Sequence, residues 1–449
     1  MNNSKIPNPN DVLKQIIDRG ISQAEVYLSS AKTLKIDVLD QKVEAIDEIQ
    51  DSGLAIRIIN QHKLGFAYTA DFDETIIEDT IACAIKNAEN TEPDENHCFP
   101  EKYIGSHENK LELYDQKIAK TPIDEKIACA LKMEKAAYQA DPRIKKTEKV
   151  SYFDSESEVW IVNTNGVDIN YKLNACGGHA SMIAMKEEEM ESGFGMSYKK
   201  KYQELIPEEI GKEAAQRAIE LLGAKTVPSQ KIPILLDPLV GTQLLEVLSN
   251  LLSSEAVQKG KSLFAGKMGK LIGAKDLTII DNGLLKDGLA SEPFDAEGTP
   301  TQETKLIENG ILTNYFFNAY TARKGQTRST GNATRASFKA PPAIGPTNLY
   351  FSPGSQNQSS LIKSVKHGLY LTRIMGMHTA NPISGDFSLG AAGWMIENGE
   401  KTYPVRGITI AGNLLDLLEA IDGIGSDLRF FATLGSPTLL ISGLTISGE

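Results

Sequence analysis

In the last seventy residues short apolar runs alternate with glycine-rich polar segments, and this rhythm constrains the fold more than any other feature of the chain. Met377-His378-Thr379-Ala380-Asn381-Pro382-Ile383-Ser384-Gly385-Asp386-Phe387-Ser388 runs into Gly390-Ala391-Ala392-Gly393. Ile396-Glu397-Asn398-Gly399-Glu400, Tyr403-Pro404-Val405-Arg406-Gly407 and Leu434-Gly435-Ser436-Pro437-Thr438-Leu439 follow. Runs this short, punctuated by glycine and proline, suit antiparallel strands and not a helix bundle. The same texture begins near residue 231. Strands are expected over 232–236, 277–280, 307–312, 349–351, 368–374, 390–397 and 402–407, then around 428–431 and 437–445. An apolar helix over 238–253 and a short one over 414–420 interrupt them, and the Gly/Lys-rich segment 259–275 reads as a mobile surface loop.

Upstream, the period changes. A helix over 10–19 ends at Gly20, and strands are expected over 24–30, 33–39 and 54–59, the last leading through His62-Lys63 to 64–68. A helix over 73–90 follows, with Ile76, Ile77, Ile81, Ala84 and Ile85 on one broad face. Residues 91–109 are polar and broken by proline, as in a linker. Pro122 opens a second helix to about residue 139, with Thr121 as its N-cap. Strands over 150–154, 157–163, 168–175 and 179–186 come next, two of them joined by the hairpin turn Asn163-Thr164-Asn165-Gly166. A helix over 207–222 closes at Gly223. The fold class is therefore α+β: a helix/antiparallel-sheet unit over 1–90, a linker and second such unit over 91–226 that repeats the logic of the first, and a β-rich domain over 227–449.

With 449 residues, two or three domains are expected. The net charge of −12 argues against a dedicated nucleic-acid binder, which would carry a basic surface. No run approaches the length of a membrane span, and residues 1–10 lack the apolar stretch of a secretory signal. Cys83, Cys98, Cys129 and Cys176 have spacings of neither a disulfide framework nor a metal knuckle. A reduced, cytoplasmic location is the expectation.

The C-terminal segments quoted above resemble the TldD/PmbA family, long called modulators of DNA gyrase and grouped with zinc peptidases. The match is to the PmbA (TldE) branch, whose members lack the metal motif. The resemblance implies a barrel-like, glycine-rich C-terminal domain. It also implies that the TldD branch bears His-Glu-x-x-x-His on the helix after the first C-terminal strand, completed by a C-terminal cysteine. Such histidines face one ion while the glutamate activates a bound water. The matching helix here, Val240-Gly241-Thr242-Gln243-Leu244-Leu245-Glu246-Val247-Leu248-Ser249-Asn250, holds no histidine, and Glu246 is its only ionisable group. Gln243, Leu244 and Glu246 thus mark the zinc-helix position without its ligands. His107-Glu108 is the sole His-Glu pair, with no histidine at the needed spacing, and no cysteine follows Cys176.

No catalytic residue and no metal ligand are therefore expected in this chain; zinc would belong to a TldD-like partner. His97, Cys98 and His107 form a loose cluster that reads as incidental. His378, Asn381 and Asp386 lie in the segment of strongest resemblance, and Arg406 sits between Val405 and Gly407. Each serves either a structural hydrogen bond or the wall of a peptide groove. Tyr315-Phe316-Phe317 reads as a strand filling the core, followed by a loop with Arg323 and Arg328 that closes over the groove. The implied function is a PmbA/TldE-like subunit that pairs with a zinc-bearing homologue to enclose a chamber for small or unfolded peptides. A homodimeric, non-catalytic peptide binder and a gyrase-interacting modulator are the alternatives.

Overall fold

The computed structural model describes residues 6–103 and 111–448. The chain is α+β. Its first half holds α1 (Pro9–Asp18), β1 (Ala24–Leu39), β2 (Lys42–Asn60), β3 (Lys63–Thr69), α2 (Glu74–Glu89), α3 (Gln116–Lys120), α4 (Ile123–Ala140), β4 (Ile144–Asn163), β5 (Asp168–Lys186), β6 (Glu189–Lys199) and α5 (Pro207–Ile219). All six strands form one antiparallel sheet in the order β3-β2-β1-β4-β5-β6. The two expected helix-and-sheet units thus share a sheet, and β1 and β4 join them edge to edge.

The strands expected over 24–30 and 33–39 are one strand, and so are 150–154 with 157–163 and 168–175 with 179–186. The polar residues between them do not turn the chain, because hydrogen-bonded neighbours on both sides keep it extended. Along β1, Val26 and Leu28 face α1 and α2, whereas Leu34, Ile36 and Val38 face α4 and α5. These residues share one parity and hence one face of the sheet. The opposite face turns Tyr27, Ala55 and Ile161 towards Phe338 of the C-terminal half. The sheet is the middle layer of three.

β6 was not among the expected strands. Gly193 and Gly195 weaken its β propensity, yet a Cβ at either would lie 2.1 Å from Ala218 N or 2.4 Å from Ile210 O. Helix α5 crosses too closely for any other residue. At the hairpin after β4, Asn163 Oδ1 accepts from Asn165 N and Val167 N, and Gly166 takes φ +87°. Thr121 does not cap α4; its hydroxyl donates to Lys117 O and closes α3, so Pro122 precedes α4 without a side-chain cap.

The second half holds β7 (Gln230–Leu236), α6 (Pro238–Leu251), α7 (Ser254–Gln258), β8 (Ile279–Asn282), β9 (Glu303–Glu308), β10 (Ile311–Leu312), α8 (Ala319–Lys324), β11 (Ala333–Thr334), β12 (Ala343–Ile344), β13 (Leu349–Phe351) and α9 (Gln358–Ser364). It continues with β14 (His367–Met375), β15 (Asp386–Glu397), β16 (Glu400–Asn413), α10 (Leu414–Glu419), β17 (Ile421–Ile424), β18 (Arg429–Phe431), β19 (Leu434–Ser436) and β20 (Leu439–Ser447). Strands β16-β15-β14-β7-β20 close on themselves through the β16–β20 pairing and make a five-stranded barrel. A second sheet runs β10-β9-β8-β13-β19-β18.

Three expectations fail in this half, one of them the strand over 307–312, which the turn at Asn309-Gly310 divides into the hairpin of β9 and β10. Tyr315-Phe316-Phe317 is buried as expected, but it forms no strand. Its backbone bridges the end of α6, with Phe316 N donating to Leu252 O and Ser254 N to Phe316 O, and α8 follows. The segment 259–275 is not merely a surface loop either. Phe264 and Ile272 enter the core, and Gly269 N and Ile272 N donate to Leu312 O and Gly310 O. Among the described residues no helix is long and apolar enough to cross a membrane.

Candidate functional site

The first-half sheet and the C-terminal half meet along a polar seam. At its centre β1 and β2 place Glu25 and Arg57 on the face that meets the C-terminal half. Arg57 Nε and Nη2 donate to the two oxygens of Glu25 at 2.9 and 2.5 Å, and Nη1 donates to Glu297 at 2.8 Å. Arg335 reaches the same Glu25 and stacks 4.4 Å over the Tyr27 ring. The other Glu297 oxygen accepts Ala319 N at the start of α8. Burial opposes the charge on Arg57, but Glu25 and Glu297 outweigh it and raise its pKa above the ordinary arginine value. The exposed rim carries looser pairs. Arg406 meets Glu189 and Glu191 of β6 at 3.0 and 2.6 Å, and Arg429 meets Glu213 of α5 at 2.6 Å.

Three clefts open along this seam. One of about 440 Å³ is walled by Tyr27, Tyr171, Glu292, Arg335 and Phe338. Tyr171 donates to Glu292 at 2.6 Å, and burial raises the Glu292 pKa. A second, of about 680 Å³, lies between β6 and the 285–289 turn, with Lys200 and Arg429 in its wall. The third, also about 440 Å³, is bordered by Gln243 and Leu239 of α6, Arg217, Arg373 and Phe194.

This third cleft carries the comparison with a zinc helix. Asp237 caps α6, accepting Leu239 N at 3.0 Å and Arg217 Nη2 at 3.1 Å, while Tyr370 donates to its other oxygen at 2.8 Å. Leu244 points into the barrel interior with Leu236, Ile374, Phe387 and Ile410, leaving a void of about 10 Å³ with an all-apolar lining. Glu246 is exposed, and its carbonyl accepts from Ser249 Oγ and Asn250 Nδ2. If Glu246 is set in register with the motif's glutamate, Leu245 before it and Asn250 four residues after it fall where the histidines would stand, and Leu245 is fully buried. Neither side chain binds zinc, so these residues do not fit a catalytic zinc ion. Among the described residues no three His, Cys, Asp or Glu side chains group as a metal site requires.

The sequence-predicted groove residues fall in separate places. Asn381 and Asp386 share a turn: Asn381 Oδ1 accepts Ile383 N and Ser384 N, and Asp386 accepts Asn413 Nδ2, which with Ser384 lowers the Asp386 pKa. His378 lies in the 3₁₀ turn Met377–Thr379, and its side chain is outside the described residues. Arg406 is on the seam rim. Arg323 and Arg328 are exposed after the start of α8, the former beside Cys98, whose pKa burial raises. His97 stacks with Tyr320 at 5.3 Å and Cys98 donates to Ala319 O, while His107 and Glu108 lie outside the described residues. Sequence reasoning missed Glu25, Arg57, Glu297 and Arg335. For Glu25 and Arg57 the available signal was a charge inside an apolar strand run; Glu297 and Arg335 stand in polar connecting segments that carried none.

Comparison with known proteins follows the same division of the chain. Residues 24–88, 116–222 and 229–448 match domain 1, the central domain and the C-terminal domain of the PmbA/TldA metallopeptidases. Metalloprotease PmbA of Escherichia coli O157:H7 is 30% identical over 428 residues, covering 95% of this chain and 92% of that protein. A Metalloprotease TldD homolog of Buchnera aphidicola is 32% identical over 253 residues, 53% of this chain and 52% of its own. A proposed modulator of a DNA gyrase from Thermotoga maritima superposes with TM-score 0.90 at 30% identity, covering 98% of this chain and 99% of that one. TldE from Thermococcus kodakarensis shares the fold, with TM-score 0.90 at 22% identity over 98% of this chain and 99% of its own. Three domain matches in order and near-complete coverage at this identity mean that the chain belongs to the PmbA/TldD metallopeptidase family.

Proposed function

We propose that this chain is the PmbA/TldE-like, non-catalytic subunit of a TldD/TldE-type metalloprotease complex that acts in the cytoplasm on small or unfolded peptides. The observation that carries this reading is α6, where the family's zinc helix has Leu245 in the core, Asn250 outside, and an isolated, exposed Glu246. A general base works only beside the water it activates, and nothing on α6 holds an ion there. A zinc-bearing homologue supplies the metal and the base; this chain completes the chamber and selects what enters. The family names borne by its relatives, Metalloprotease PmbA and TldD homolog, support that pairing.

The test is cleavage of an unstructured peptide by this chain, by a TldD-like homologue, and by both together, with elemental analysis of each. The chain alone is expected to hold no stoichiometric zinc and to cut nothing, while the mixture cuts and Glu246→Gln leaves the mixture nearly as active. Metal-dependent turnover by the pure chain would overturn the non-catalytic reading. Partner activity unchanged by its addition would overturn the pairing. A stable homodimer that binds peptide and ignores the homologue would replace it with a self-sufficient peptide binder.

A further inference from the structure

The run Lys199-Lys200-Lys201 carries the chain out of β6. Lys201 pairs with Glu112 at 2.6 Å. Lys200 is only 3% exposed, and among the described residues its Nζ has no hydrogen-bond partner. An ammonium has three donors and no acceptor, so burying it unpaired is costly. Glu292 attracts it but lies beyond hydrogen-bond reach, and Tyr171 already donates to one of the Glu292 oxygens. Burial outweighs that attraction and lowers the Lys200 pKa.

Lys200 stands in the wall of the cleft of about 680 Å³ between β6 and the 285–289 turn. The pleat of β6 puts it there. Gly193 and Gly195 face α5, so the even-numbered residues turn the other way, and Tyr198 and Lys200 share that side. Gly177 of β5 makes room for the Tyr198 ring, since a Cβ there would lie 2.4 Å from Tyr198 Cδ1. Tyr198 and Phe430 form the aromatic part of the wall. Arg429 also borders the cleft, but both oxygens of Glu213 answer it. Lys200 is left to a ligand that brings its own acceptor.

The rest of the wall selects which acceptor. Glu204, Glu209, Glu213 and Asp287 line it as well, so a doubly charged phosphate meets more repulsion than a single carboxylate. The cleft is far larger than a lone carboxylate, which leaves room beside Tyr198 and Phe430 for the group that bears it. We infer that this cleft binds a ligand through a carboxylate held by the Lys200 ammonium, either the C-terminus of a peptide or a small organic acid. The site is distinct from α6 and stands whether or not the subunit reading holds.

The test uses the full chain, with binding followed by isothermal titration calorimetry. N-acetyl-alanyl-alanine is expected to bind at least about tenfold more tightly than its C-terminal amide, a comparison that needs no variant. Acetate binding as tightly as the dipeptide acid would assign the site to small organic acids; weaker acetate binding would assign it to peptide ends. Inorganic phosphate is expected to bind more weakly than the dipeptide acid. Lys200→Met is expected to lose at least about tenfold in affinity for the acid. Without ligand it is expected to melt roughly 1–3 °C above the parent, because an unpaired buried ammonium is gone. Equal binding or no binding of acid and amide, tighter binding of phosphate, or unchanged affinity of Lys200→Met would each overturn the proposal. A ligand-free Lys200→Met that melts below the parent would overturn it too, since the ammonium would then already have its partner in Glu292.

Discussion

Glu25 and Arg57 stand in the runs Ala24-Glu25-Val26-Tyr27-Leu28 and Ile56-Arg57-Ile58-Ile59, where their neighbours are apolar. A charge in such a place is either an error of folding or half of a pair, and here each answers the other across β1 and β2. Removing one partner leaves the rest buried and uncompensated. Arg57→Ala is therefore expected to cost about 3–5 kcal/mol in a urea titration. A second residue reports through pH. Asp281 is fully buried, and burial pushes its pKa up to about 6 despite hydrogen bonds from Asn332 and Thr347. Because the folded pKa exceeds the unfolded value, its contribution to stability is complete below about pH 3.9 and is lost as pH rises through about 6. Between pH 4 and 7 the parent should lose on the order of 3 kcal/mol relative to Asp281→Asn. Parallel stability–pH curves for the two proteins would refute this assignment.

Helix α6 shows what an element inherits from its first residue. Its sequence is apolar enough to be recognised as a buried helix, but Asp237 decides where it starts and what it meets. The carboxylate caps α6, pairs with Arg217 of α5 and accepts the buried Tyr370 hydroxyl. Asp237→Ala is expected to cost about 2–4 kcal/mol, from the lost cap and the stranded guanidinium together. Asp237→Asn, which keeps the cap, is expected to cost less, and a melting series of the three proteins checks the order. At this scale, periodicity located most helices, yet it divided the long strands. Ala31 and Lys32 look like a break because they interrupt the alternation of apolar residues. One face of β1 borders a cleft there, while both edges remain paired.

Over the whole molecule, the two halves are joined by a buried ionic centre and an exposed rim. Arg406 and Arg429 lie on the rim with side chains 44% exposed, where water screens their partners. Each replaced by alanine is expected to cost less than about 1 kcal/mol, additively, and less still at high salt. A loss several times larger in the double variant would mean that the rim, not the centre, holds the halves together. Arg406 was expected to serve either a structural hydrogen bond or a groove wall. Its place against Glu189 and Glu191 depends on β6, a strand whose glycines hide it from any reading of propensity. The sequence by itself determined the class of the fold, the positions of the longer helices, the glycine-rich β-domain and the absence of histidine from α6. These are properties of residue type and local spacing, and each is decided within a few turns or strands. Only the tertiary structure decided that the two sheet units are one, that the barrel closes through β16 and β20, and that Glu25, Arg57, Glu297 and Arg335 share a site. Those contacts join residues up to 310 positions apart, where no local pattern reaches and packing alone selects the partner.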